Sequence, residues 1–112
     1  MTELLSRTEE MILLGVIRLG NNAYGIAIRE YLENVLGKSL SVGAIYVPLE
    51  RLDKAGYLSS YAGEPTPERG GRSKRFYQIT PRGLAALQET EKLHDTLWSG
   101  IGDLPRYQAG KA

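Results

Sequence analysis

Only two stretches of this chain, YLSSYAG and KRFYQIT, alternate residues in the two-fold rhythm of a β-strand. In the first, Leu58, Ser60 and Ala62 alternate with Ser59 and Tyr61; in the second, Phe76 and Gln78 alternate with Tyr77 and Ile79. The segment between them, EPTPERGGRS, is rich in Pro and Gly, so the pair reads as a β-hairpin with a long projecting loop. A lone hairpin is at best marginally stable in water. The remainder of the fold therefore has to come from helices.

Helical patterns lie on both sides of the hairpin. Ser6 and Glu9 stand at the spacing of a capping box, which predicts a first helix from about Arg7 to Leu19, closed by Gly20-Asn21-Asn22. From Met11 to Leu19 only Gly15 and Arg18 are not large apolar residues, so this helix needs cover on more than one side. A second helix lies within AYGIAIREYLENVLG, with Tyr24, Ile28, Tyr31, Leu32 and Val35 as its stripe and Gly37 as its C-terminal stop. KSLS is compatible with a small strand. Ser41 then caps a third helix, with Ile45, Leu49 and Leu52 facing inward and Gly56 ending it. Pro48 inside this helix removes a backbone hydrogen bond and predicts a kink or a tight first turn. After the hairpin, Thr80 and Pro81 open a fourth helix that runs to about Trp98. Its Leu84, Leu87, Leu93, Leu97 and Trp98 cover about half the helical wheel, more than one core needs.

Three helices, a hairpin with a basic tip and a last helix make up the element order of a winged helix-turn-helix, a mainly α fold with one small hairpin. At 112 residues the chain is expected to form one domain that buries roughly two-thirds of its unfolded surface. The 42% hydrophobic content excludes a disordered chain, and no apolar run approaches the ~20 residues of a membrane span. MTELLSRTEE lacks a secretory pattern, which makes cytoplasmic residence the expectation. With no cysteine, disulfides and thiolate metal sites are excluded. Enzyme chemistry finds little support. There is one histidine to act as a general base, and Gly70-Gly71 is a turn pair, not a phosphate-cradling loop. Glu9-Glu10 is explained as a complement to a helix dipole. His94 has no ligand partners at metal spacing and reads as a helix-surface or interface residue. No metal and no cofactor are expected.

The net charge is only +1, but Arg69, Arg72, Lys74 and Arg75 fall within seven residues at the hairpin tip. A projecting cationic site beside a helix-turn-helix pattern points to DNA, against the plainer reading of a solvated tip. On the third helix Gly43, Ala44 and Val47 lie off the apolar stripe, and short side chains there let the backbone approach a major groove. Ser41 and the first-turn amides can bind a phosphate. Tyr46 is either a packing residue or a phosphate contact. Arg51 either reaches DNA or pairs with nearby acidic side chains. Trp98, the single tryptophan, is most simply an interface anchor, with stacking on an aromatic ligand as the weaker reading.

These residues carry a family resemblance. GAIYVPLERLDKAGYLSS followed by GGRSKRFYQITPRGLAAL resembles the PadR-like transcriptional regulators, with Tyr46, Leu49, Leu52, Gly56, Gly71, Arg72, Phe76, Tyr77, Thr80 and Gly83 at the positions of the family pattern. The resemblance covers roughly residues 8 to 98. Val47 intervenes between the tyrosine and Pro48, and Tyr24 precedes Gly25, both departures from the usual order. The resemblance implies a homodimeric repressor of double-stranded DNA with a palindromic operator, released by a small aromatic or lipophilic effector. It also implies that the first and last helices build the dimer interface. Leu4, Leu5, Met11, Leu87, His94, Leu97 and Trp98 are the interface residues expected. Residues 1–80 then form the DNA-binding domain, 81–98 the dimerisation helix and 99–112 a flexible tail. The alternative is a winged-helix protein-interaction module without sequence-specific DNA binding.

Overall fold

The structure is a computed structural model and describes residues 4–65 and 73–105. Its elements are α1 (Arg7–Leu19), α2 (Gly25–Leu36), α3 (Val42–Lys54), β1 (Leu58–Pro65), β2 (Ser73–Ile79) and α4 (Pro81–Trp98), with a single 3-10 turn at Gly20–Asn22. This is the winged helix-turn-helix order. The helix starts follow the local chemistry of the sequence. At α1 the Ser6 backbone N–H donates to Glu9 Oε1 at 2.8 Å while the Glu9 N–H donates to Ser6 Oγ at 3.1 Å, completing the capping box. Ser41 accepts from the Ala44 N–H and Thr80 from the Gly83 N–H, so α3 and α4 each carry a one-way side-chain cap. Gly37 ends α2 in the left-handed conformation, at φ 69°, where a residue with a Cβ would be strained.

The core is one cluster contributed by all of the helices and the hairpin. Ile12, Leu13, Ile28, Ile45, Leu49, Leu52 and Leu58 are fully buried, each stabilising the fold by about 1.5–3 kcal/mol relative to exposure. β1 and β2 pair antiparallel from Leu58–Ile79 to Ala62–Arg75, with an irregularity between Ala62 and Pro65. Tyr24 forms an isolated antiparallel bridge to Phe76, and the Tyr77 N–H donates to the Ala23 carbonyl at 2.8 Å. The entry to α2 is thereby fastened to the base of the wing.

Two local expectations are corrected. KSLS forms no strand. Instead, Arg29 Nε donates to the Leu40 carbonyl at 2.9 Å and the Leu40 N–H donates to Glu33 Oε2 at 2.7 Å, so side chains of α2 satisfy this connection and no sheet is needed. Val35 is 60% exposed and leaves the α2 stripe, because the α1 and α3 surfaces are already met by Leu32 and Ile28, one and two turns earlier. α3 runs without a break through Pro48, which is buried in it.

Candidate nucleic-acid interface

The inner face of α3 is closed by Ile45, Leu49 and Leu52. The opposite face is open: Ser41, Val42, Gly43, Ala44 and Val47 are all exposed, Val47 by 59%. A Cβ built on Gly43 would meet nothing within contact distance, so the first turns of α3 present a low, unobstructed surface. The sequence pattern thus placed the open face correctly, except that it missed Val42.

The polar residues around this face are partly committed. Arg51 Nε lies 3.1 Å from Glu9 Oε2, tying α3 to the first turn of α1, although the Arg51 side chain keeps more than half of its surface exposed. Burial of the Glu9 carboxylate works to raise its pKa, but the Ser6 backbone N–H and Arg51 outweigh burial and hold it below its ordinary value. On the wing, Arg75 Nη1 donates to Ser60 Oγ at 3.0 Å, and the Ser60 hydroxyl donates to Asp53 Oδ2 at 2.7 Å. This chain of bonds joins β2, β1 and the last turn of α3. Lys74 Nζ stands 4.2 Å from the centroid of the Tyr24 ring, a cation–π contact that draws it toward the start of α2. Arg69 and Arg72, and the Gly70-Gly71 turn, lie outside the described residues.

Tyr46 is half-buried, and its phenol lies against Gly25, at which a Cβ would collide with the hydroxyl. The packing role is therefore present. A cleft of about 200 Å³ remains beside it, bordered by Tyr24, Gly25, Ile26, Lys74, Arg75 and Tyr77. Nothing in the sequence periodicity joins these residues, because they come from α2, α3 and β2 and meet through the Tyr24–Phe76 bridge, the Tyr77–Ala23 hydrogen bond and the packing of Tyr46 on Gly25.

α4 extends beyond the core, and of its 18 residues only Gly83 and Ala86 are buried. Leu97 is 63% and Trp98 59% exposed, and Leu4 is exposed as well. Leu5, Met11 and Leu87 are half-buried against the core. His94 Nε2 lies 3.1 Å from Glu10 Oε2, joining α4 to α1. Beside this pair runs an apolar groove of about 320 Å³, with Leu14 and Ile17 of α1 facing Leu84 and Leu87 of α4. Leu14, Ile17, Leu84 and Glu10 line this groove without having been singled out from the sequence. The signal for the first two was present in the all-round apolar character of α1.

Residues 13–89 match the model described as the transcriptional regulator PadR-like family. A PadR family transcriptional regulator from Eggerthella lenta superposes with a TM-score of 0.64 at 27% identity, over 82% of this chain and 78% of that one. A transcriptional regulator from Clostridium thermocellum gives a TM-score of 0.69 at 24% identity, over 88% and 92%. A PadR family transcription regulator from Clostridium difficile gives 0.61 at 20%, over 86% and 94%. Among curated proteins, no sequence relative is found.

Proposed function

The chain belongs to the PadR-like family of transcriptional regulators, and on that premise we propose that it acts as a homodimeric repressor, reading a palindromic operator with α3 and gripping the flanking backbone with the wing. The observation that carries this reading is the division of α3. One face is fully buried, while the first turns of the other are built of short exposed side chains, and Tyr46 of the same helix shares a cleft with Lys74 and Arg75. Ser41 and the α3 first-turn amides, with Arg51 and the wing cations Arg69 and Arg72, complete the backbone contacts. No long charged side chain projects from the first two turns of α3, so the shape and deformability of the operator contribute much of the specificity. A twofold axis places two copies of α3 in successive major grooves about one turn apart.

In this proposal residues 81–98 are the dimerisation helix. The exposed apolar residues of α1 and α4 support that role, since a contiguous apolar face on both helices needs cover. A small aromatic or lipophilic effector entering the α1–α4 region would release DNA by favouring a spacing of the two wings that the operator does not fit. Members of the family are regulators, and no catalytic role is proposed. Among the described residues no helix is long and apolar enough to cross a membrane, which fits the proposed cytoplasmic site of action.

Selection of bound sequences from random duplexes tests the reading directly. A recovered inverted repeat, with affinity falling by about 10³–10⁵ between 50 and 200 mM salt for roughly 6–10 neutralised phosphates, is the expected result. Absence of any sequence preference at moderate salt favours the protein-interaction module instead.

A further inference from the structure

The start of α2 differs from the other helix starts in a way that the DNA-binding reading has not used. Its N-cap is Tyr24, which makes no side-chain capping bond, and no acidic residue stands in the first turn. The amides of Gly25 and Ile26 are therefore left without intrahelical partners, at the positive end of a 12-residue helix. A second, independent feature lies beside them. Tyr77 borders the same cleft and is only 6% exposed, yet among the described residues its hydroxyl has no hydrogen-bond partner. Buried hydroxyls are ordinarily satisfied, so an unmatched one beside a cleft points to an absent partner. Burial, and then the nearby Asp53, raise the Tyr77 pKa, so at neutral pH the phenol keeps its proton and can donate. Its phenol also senses Arg75 and Tyr46, the side chains across the cleft, with Glu50 as a further charge nearby.

The chemistry of the cleft is one-sided. Gly25 and Ile26 offer N–H groups, Tyr46 and Tyr77 offer hydroxyls, and Lys74 and Arg75 offer cations; no carboxylate borders it. The Tyr46 hydroxyl is brought onto the first turn because Gly25 has no Cβ. Lys74 is held near by the Tyr24 ring, free of any carboxylate among the described residues. A volume of about 200 Å³ accommodates a tetrahedral oxyanion.

We infer that this cleft seats one backbone phosphate of the bound duplex in each protomer, held by the Gly25 and Ile26 amides, the Tyr46 and Tyr77 hydroxyls and the Lys74 ammonium. The inference rests on the DNA-binding reading above and adds a contact from α2, apart from those of α3 and the wing tip. Because the cleft is fastened to β2, the phosphate it holds sets the angle at which the wing meets the backbone.

The test uses the full chain and a duplex recovered by selection, in which each phosphate is replaced in turn by a neutral methylphosphonate. Wild-type protein should lose about tenfold in affinity at one position per half-site through this cleft. Tyr77→Phe and Lys74→Gln should each weaken binding to the unmodified duplex, and the loss at that one position should largely disappear in the variants. Lys74→Gln should also lower the salt slope by about one unit per protomer. Circular dichroism and melting of Tyr77→Phe report whether the fold is intact, and a purely structural role for the hydroxyl would not single out one phosphate. Losses that simply add at every position overturn the inference and leave the DNA-binding reading standing. Failure of the wild-type protein to bind any duplex overturns both. Inorganic phosphate that shifts the Gly25 and Ile26 amide resonances, without coupling to any backbone position, assigns the cleft to a free anion and overturns the DNA contact.

Discussion

Gly83 lies at the third position of α4, and a Cβ there would run into the backbone carbonyl of Tyr57 and the Ile79 side chain. The same turn is held by Thr80, whose hydroxyl donates to the Gly56 carbonyl at 2.6 Å. The glycine therefore permits α4 to lie close on the chain that leaves α3, and backbone cannot move aside as a side-chain tip can. Gly83→Ala should cost about 1–3 kcal/mol, read as a lower urea midpoint at unchanged slope. A second residue-scale prediction concerns Glu9. Its folded pKa is depressed, so its contribution is fully present above the unfolded value and is lost as pH falls through the folded one. Wild-type stability should therefore decline at acid pH, below about 4.3, and Glu9→Gln should remove that part of the decline while costing about 0.5–1 kcal/mol at neutral pH. Gly83 and the Ser6–Glu9 box were both visible in the sequence. The reason for Gly83 was not, because the carbonyl it avoids lies 26 positions earlier in the chain and approaches only after folding.

At the scale of elements, the wing is a two-stranded ribbon that would not persist alone, and its base is fixed to the start of α2 and to α3 while two of its own rings stack across the strands. Tyr24 bridges to Phe76, the Arg75–Ser60–Asp53 chain reaches α3, and the rings of Tyr61 and Phe76 stack at 5.6 Å. A rigid base allows cations further out to meet a backbone without a large loss of conformational freedom. Arg72→Ala combined with Lys74→Ala should weaken DNA binding and reduce the salt slope by about one unit for each lost phosphate contact, with the circular dichroism spectrum and melting temperature unchanged. Titration against the selected operator at several salt concentrations gives the answer; an unaltered affinity counts against the wing as a DNA contact. The hairpin and the helix limits were legible because caps and periodicity are local. The missing KSLS strand was not legible, since Arg29 and Glu33 satisfy that connection from a helix 7–11 residues earlier.

For the whole molecule, the decisive property is that α4 is capped and ordered as an 18-residue helix, about 27 Å long, yet buries little of itself against its own chain. Together with Leu14 and Ile17 of α1 it leaves exposed apolar side chains around one groove, which the proposed second copy would cover. Leu14→Glu and Leu97→Glu change residues that are exposed in the single chain, so each should keep the fold while shifting the protein to monomer and weakening operator binding. Sedimentation or light scattering at micromolar concentration reads the assembly. A wild-type chain that is monomeric under those conditions removes the dimer from the proposal.

By itself the sequence determined the helix starts, the single hairpin, the buried stripe of α3 and the family pattern, since each depends on neighbours within a few residues. Tertiary structure decided what those elements present to a partner. It turned Leu14 and Ile17 outward, paired Arg51 with Glu9 and His94 with Glu10, and gathered amides, hydroxyls and cations from α2, α3 and β2 into one cleft. The physical reason is distance along the chain. A cap or a stripe is set by residues one turn apart, whereas a site that holds a phosphate needs donors converging from several directions, and only the packed fold brings them together.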